Sequence, residues 1–564
     1  MIAGILFIVT SLAYLPHGIF NNAFDRNAGP QFVGLCISAV VLGILALLKK
    51  ERSKVTKTTL VGFVGLLIFS LISWLTSGNL ITGLTGDTGR YNGLASLFCL
   101  LIIAFYFSQM VEASFDRTLK VMLLGIVALD LLGLLQDFNL IQIPTGGGVG
   151  STLGNLDFLS AWLGTTFLMF ALLKIEKRKK QIFLSIFAIF SIFLMVRIGA
   201  KQGIVDFILI GAALAIYSIR SRIPRFVLDK NIWTALGTFF VLLWCEVIYL
   251  VPIAKLPVPG VGGDVNVTIR SDFWYSGAAM FFHHLWLGVG PDNYGYYYEK
   301  YRSLSSVRKT ESVISNDAHS AMVQTLSTLG IFAIIAIIVL IVALIRSLIV
   351  LVEANPELRR RYAIFALFFF VYLTNSLISP ITLPNKFAFW ALAGYVIGQA
   401  ALVSDGIELP PLSKIVPAVM ILVVIFTGVE FTWASLKFMV QQDRATFKEK
   451  VSYSYSPWLA CNINFNAQMA LATDSGTDPM VIAATAVRSN PRCIAAQELL
   501  AIGYIQRADY VNAKPHVYEL LDLAPGRQEI VRIAAEYAVR SKDSIMQSIL
   551  VHQGLRLGII TNSK

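Results

Sequence analysis

Stretches of roughly 17–25 predominantly apolar residues recur along this chain, and each is long enough to cross a bilayer as a helix. They fall near residues 2–20, 32–48, 58–76, 93–112, 118–135, 156–174, 181–197, 203–219 and 232–252. Further ones follow near 321–345, 362–379, 386–403 and 415–435. Hydrocarbon offers no water to satisfy backbone polar groups, so each run must be a helix rather than open strand or coil. The sequence therefore predicts an all-α polytopic membrane protein with about 12–13 transmembrane helices. Only 14% of its residues are charged, against about 25% in soluble domains.

Charge fixes the expected topology. The basic residues cluster in short loops at Lys49–Lys57, Lys174–Lys180, Arg220–Lys230 and Arg359–Arg361, the pattern of cytoplasmic loops. That placement assigns the formal net charge of +12 to topology and anionic lipid headgroups rather than to nucleic acid. It puts the N-terminus in the cytoplasm. That end is apolar from Ile2 and has no basic leader, so it reads as a retained first helix. The loops 77–92, 136–155, 198–202, 253–320 and 380–385 then lie outside.

Thirteen crossings also put the tail outside. The chain divides into a transmembrane domain, 1–435, with a long extracytoplasmic loop at 253–320, and an α-helical domain, 436–564. In the tail, Cys493–Arg507, a break at Ala508-Asp509-Tyr510 and Val511–Leu523 read as a helical hairpin, with a further helix through Ile530–Arg540. This resembles a small tetratricopeptide-like unit. Cys36, Cys99 and Cys245 sit in apolar runs. Cys461 and Cys493 are in the tail, where an outside location permits a pair that spacing alone does not establish.

Four outer segments carry polar chemistry: Gly86–Gly93 with Arg90, Gly146–Asn155, the cationic turn Arg197–Gly203, and the long loop with Arg270 and His319. Arg197 and Lys201 oppose the positive-inside bias and are four residues apart, on one face of a continued helix. They suit either lipid phosphates or a phosphate-bearing substrate. The planar fork of Arg270 suits a diphosphate. The aromatic segment Ser271–Leu287 reads as a helix lying in the membrane interface, with His283 and His284 as interface residues. Asn316 or Asp317 is placed to cap the next helix. His319 is then either a first-turn structural residue or a base for a hydroxyl proton. Walker loops, His-Glu-x-x-His helices and Cys/His metal spacings are missing from the sequence, so neither metal nor cofactor is expected.

These motifs, in this order, resemble the O-antigen ligase/polymerase superfamily. They are Arg90-x-x-Gly93, Thr152-Leu153-Gly154-Asn155, the Arg197–Gly203 turn, Arg270 with Trp274, Leu287-Gly288-Val289-Gly290-Pro291-Asp292-Asn293-Tyr294, and Ala318-His319-Ser320 with Gly330 beyond. The resemblance covers about residues 30–400. Lys201 stands where the family commonly has Arg, and Ser320 where it often has Asn.

The resemblance implies a metal-independent, inverting glycosyltransferase of the bacterial plasma membrane. It would take an undecaprenyl-diphosphate-linked glycan as donor and a glycan, lipid or protein hydroxyl as acceptor. Arg90, Arg197, Lys201 and Arg270 would hold the diphosphate, with Arg270 and His319 catalytic. The rival class is a transporter or flippase of lipid-linked glycans, which calls for functional polar residues at mid-membrane depth. Asp130, Asp206 and Glu246 are intramembrane acids, yet they show no repeat relation, and a satisfied core accounts for each equally well.

Overall fold

The computed structural model describes residues 1–16, 25–49, 54–143, 145, 148–174, 176–199, 201–219, 265–303, 306–307, 314–404, 406–409, 414–447, 449 and 451–557. Its helices begin with α1 (Ile2–Leu12), α2 (Ala28–Leu48), α3 (Lys57–Thr76), α4 (Leu80–Thr85), α5 (Leu94–Ser108) and α6 (Glu112–Asp137). They continue with α7 (Leu156–Ala171), α8 (Lys177–Ile198), α9 (Lys201–Ile219), α10 (Val265–His283) and α11 (Tyr294–Tyr301). Next are α12 (Ala321–Ala354), α13 (Arg359–Ile378), α14 (Leu383–Val403) and α15 (Ile415–Thr446).

Twelve of the thirteen expected crossings carry a helix, and the thirteenth, 232–252, lies outside the described residues, as do Cys245 and Glu246. Among the described residues, eight helices are long and apolar enough to cross a membrane. Four apolar helices are shorter: Ile2–Leu12, Leu94–Ser108, Leu156–Ala171 and Gln202–Ala213. The chain is a helical polytopic membrane protein, and among the described residues one two-residue ladder pairs Lys54 with Glu408 and Val55 with Ile407.

Lipid is as apolar as leucine, so contact between these helices depends on close packing rather than on expelled water. Gly394 and Gly398, one turn apart on α14, meet α5 so tightly that an added Cβ would fall 2.3 Å from the Ala104 carbonyl and 2.0 Å from that of Ser108. Aromatic side chains fill the rest: Phe7 stacks on Trp162 and meets Phe387 edge-on, and Phe115 stacks on Tyr395. Near the start of α9 and the end of α13, Asp206 accepts a 2.8 Å bond from Asn375, whose Oδ1 accepts from Gln202. That acid therefore has partners inside the bundle.

The loops sort onto two faces. On one, Arg361 reaches Glu112 and Asp116, Lys174 reaches Glu112, and Lys49 donates to the Gln109 carbonyl. On the other meet the segments 86–93, 150–158, 284–294, 316–320 and 379–380. These are the two groups that the basic-loop pattern separates.

Within the long loop, the described residues carry two helices, α10 and α11. The aromatic helix begins at Val265 rather than Ser271 and ends at His283. It does not lie in the interface as a whole. Phe273 and Trp274 are 5% and 6% exposed inside protein, whereas Phe282 and Trp286 are 62% and 61% exposed. Packing against α12 wins over the interface for its first half. His284 faces Tyr301, with Nε2 and the phenol oxygen 3.1 Å apart.

The Gly-Val-Gly turn has a specific partner. Helix α12 breaks at Gly330, whose φ is +74°. The turn fills the gap: Val289 and Gly290 donate to the carbonyls of Ser327 and Thr328, and Ile331 donates to Leu285. A break frees backbone groups that must find partners, and here they find them in the turn. A Cβ on Gly288 would sit 2.3 Å from the Thr328 carbonyl carbon.

Beyond α15, which runs on past residue 435, follow α16 (Cys461–Asp474), α17 (Pro479–Ser489), α18 (Ile494–Gln506), α19 (Tyr510–Leu523), α20 (Gln528–Ser541) and α21 (Ser544–Leu557). Each packs on the next, and α16 and α20 both touch α18. Cys461 and Cys493 form a disulfide. This tail shares one apolar core with the long loop: Phe273, Tyr294, Tyr296 and Tyr298 cluster with Tyr455, Leu459 and Phe465. Arg492 lies 3.7 Å over the Tyr297 ring, and Lys300 pairs with Asp522 at 2.6 Å.

Candidate active site

A cavity of about 170 Å³ opens where four distant segments meet. Arg90 comes from the 86–93 turn, Asn155, Asp157 and Phe158 from the start of α7, Ile269, Arg270 and Phe273 from α10, and His319 from the turn before α12. Ser379 and Pro380 close it. Local structure explains each placement. Gly154 is left-handed and Asn155 caps α7 by accepting from the Asp157 N–H at 2.8 Å, so the positive end of α7 points at the site. Arg90 spreads over the Phe158 ring at 5.4 Å.

His319 is held by its own turn. Its φ is +54°, its N–H donates to Asp317 Oδ1 at 2.6 Å, and its Nδ1 lies 3.0 Å from the Asp317 carbonyl. A carbonyl only accepts, so Nδ1 carries the hydrogen and Nε2 is the basic nitrogen. Phe273 packs against the ring at 5.0 Å. Burial pulls the imidazole below its ordinary value. The Asp317 charge opposes that, and Arg90 and Arg270 reinforce it. The cap of α12 is neither Asn316 nor Asp317 but Ser320, which accepts from the Val323 N–H, while Gln324 Oε1 accepts from the Ala318 N–H.

Arg270 donates to Asp157 Oδ2 at 3.0 Å. Asp157 was not among the sequence candidates. It follows a cap residue at a helix start, where an acid reads as an ordinary N-terminal residue. An anion entering the cavity competes with Asp157 for the guanidinium.

The structure thus gathers Arg90, Arg270 and His319, and it places Arg197 elsewhere. Arg197 pairs with Asp137 at 3.0 Å and lies over Phe138 at 5.5 Å, with its side chain 48% exposed. The backbone of Lys201 opens α9, and its side chain lies outside the described residues.

A buried polar network behind the cavity was also missed by sequence reasoning. Asp292 Oδ2 accepts the backbone N–H groups of Asp87 and Asn92 at 2.7 and 2.9 Å, Gln324 donates to its Oδ1, and Lys386 reaches Asn92. Burial raises the Asp292 carboxyl to about 6 against those N–H bonds. Burial, then the Asp292 charge, raises Asp87 to about 7. The Gly-Val-Gly-Pro-Asp run therefore does two structural jobs. It seals the α12 break and clamps the loop that carries Arg90. A faint signal was the Asp directly after Gly-Pro, a turn position with an acceptor side chain.

These features define a polytopic helical membrane protein with a cationic, histidine-bearing cavity at one membrane face. The model of the O-antigen ligase family matches residues 158–338, which supports the resemblance to the O-antigen ligase/polymerase superfamily. The matched stretch is narrower than the 30–400 read from the motifs. It contains Arg270 and His319, while Arg90 and the tail lie outside it. No curated protein matches the chain.

Proposed function

We propose that this protein transfers a glycan from an undecaprenyl-diphosphate carrier to an acceptor hydroxyl at the extracytoplasmic membrane face. The observation that carries the reading is the meeting of Arg90, Arg270, the α7 N-terminus and a base-ready His319 around one cavity. Arg90 and Arg270 take the diphosphate, Arg270 by releasing Asp157. His319 Nε2 accepts the acceptor proton as the hydroxyl oxygen forms its bond to the anomeric carbon. The bond from that carbon to the phosphate oxygen breaks, and its electron pair leaves on the diphosphate. A single displacement of this kind inverts the anomeric centre. The developing charge is met by guanidinium groups, so the reading requires no metal.

Sidedness follows from two supports. The described basic residues Lys49, Lys174 and Arg361 gather on the face opposite the cavity, as those of cytoplasmic loops do. The Cys461–Cys493 disulfide lies on the cavity side, and disulfides persist in oxidising compartments. Residues 1–435 then form the transferase domain of a bacterial plasma-membrane protein with a cytoplasmic N-terminus. Residues 436–564 form an extracytoplasmic tetratricopeptide-like domain, a reading that its helix-on-next-helix packing supports. Glycan, lipid and protein acceptors all fit the chemistry.

The test is reconstitution with a lipid-linked oligosaccharide and candidate acceptors, with mass spectrometry for a new glycosidic bond. The reading expects transfer that disappears in Arg270→Ala and His319→Ala. Transfer surviving both changes sinks the site, and lipid movement between leaflets without a new bond favours a flippase.

A further inference from the structure

A second and larger cavity, about 580 Å³, lies between the long loop and the tail. Its volume is in the ~300–1,000 Å³ range of small-ligand sites. The loop side contributes Asp87, Asn316 and Glu299, and the tail contributes Phe465, Asn466, Met469, Glu498 and Arg527. The partition between the two cavities is thin in sequence. Asp87 and Asn316 line the cleft, and Arg90 and His319, each three residues further on, line the smaller cavity. Asn316 Nδ2 ties the two turns together by donating to the Thr88 carbonyl at 2.8 Å.

One atom points to a hydrogen-bonding ligand. Asp87 is fully buried, and its Oδ1 accepts the Thr88 N–H. Its Oδ2 has no hydrogen-bond partner among the described residues, a costly state for a buried acceptor. Opposite it stands Gly295, where an added Cβ would come 3.1 Å from that oxygen. With glycine there, no Cβ stands against the oxygen, which is itself buried.

We infer that this cleft binds a neutral oligosaccharide, the acceptor chain of the transfer reaction, with a sugar hydroxyl donating to Asp87 Oδ2. The assignment rests on the transferase reading above. Sugar hydroxyls both donate and accept, and the walls offer both in Asn466, Glu498 and Arg527. Sugar C–H faces need apolar surface, which Phe465 and Met469 supply. A cationic peptide fits less well because two of the three acids in the lining already face a cation: Glu299 pairs with Arg302 at 3.3 Å, and Glu498 feels the Arg527 charge. An acceptor held there extends its end past the Thr88–Asn316 link to reach His319 in the smaller cavity. That arrangement separates holding the chain from activating its hydroxyl.

The test is an array of neutral and acidic oligosaccharides probed with the full-length protein in detergent, alongside a pentalysine peptide. Binding of one or more neutral oligosaccharides is expected. Ala495→Trp, which fills the cleft from α18, should weaken it at least tenfold, and the shape-preserving Asp87→Asn at least fivefold. Arg270→Ala should leave it within twofold, so loss of transfer and loss of acceptor binding remain separable. The assignment is overturned if no neutral oligosaccharide binds, if binding survives both Ala495→Trp and Asp87→Asn, or if only pentalysine binds.

Discussion

The two cavities sit back to back and are built on opposite chemical plans. The smaller one gathers two arginines, a helix N-terminus and a histidine around about 170 Å³. The larger one spans about 580 Å³ and mixes amides, acids and apolar side chains. Two turns, 87–90 and 316–319, supply residues to both. Cationic density suits a step in which negative charge builds up, whereas a mixed lining suits holding a neutral chain. The physical lesson is that one thin wall can present cationic chemistry on one face and a mixed polar and apolar surface on the other.

The sharpest way to break this comparison is His319→Ala. If the smaller cavity does the chemistry, the rate constant for glycan transfer drops by about 10²–10⁴-fold, the usual contribution of a general base, with acceptor KM little changed. A KM effect alone would move His319 to the binding side. Next comes Arg270→Ala, expected to lower transfer by about 10²–10³-fold, as loss of a charge-stabilising donor does. Arg270→Lys should recover part of that, since it keeps charge without the fork. Arg197→Ala is the control, expected within about threefold because its partners are Asp137 and Phe138 and exposed pairs are worth little. Equal losses in both would extend the donor site to the Arg197 turn.

Proton linkage tests the partition itself. His319 sheds its proton more readily than free imidazole at 6.5, so transfer should hold at that pH and fall only in more acid solution. Arg90→Ala, which removes one charge that favours the neutral ring, should move that acid limb upward. Asp87 and Asp292 behave oppositely. Their folded values, about 7 and about 6, lie above the ordinary 3.8. The stability they confer is complete below pH 3.8 and is lost as the pH rises through those values. The unfolding midpoint should therefore fall between pH 5 and pH 8, and Asp87→Asn should flatten that slope.

The smallest effects concern how the tail is held on the loop. Lys300→Ala removes a partly exposed pair with Asp522 and should destabilise tail docking by less than about 1 kcal/mol. Arg492→Ala removes a close cation–π contact and should lose about 1–2 kcal/mol. Limited proteolysis of the tail would report both. A larger effect from Lys300→Ala would mean that ion pairing, not the shared aromatic core, holds the cleft closed.

Much of this architecture was legible without coordinates. Bilayer-length apolar runs specify helices because lipid leaves no alternative, and basic loops sort the helix ends. Arg270 and His319 stood out because charge and imidazole are rare in so apolar a chain. Asp157, Asp292 and Lys386 did not stand out, since each looks like an ordinary cap, turn or helix-end residue until its partner arrives from 100 or more positions away. The same limit let Arg197 look like a member of the site. The sequence by itself determined a helical membrane protein with cationic and histidine-bearing loops, because hydrophobic length and charge asymmetry act locally along a chain. Only the tertiary structure decided which of those residues share a cavity, that the Gly-Val-Gly turn seals a broken helix, and that the tail forms a second cleft against the loop. Those outcomes depend on contacts between distant segments, and residue spacing alone does not encode them.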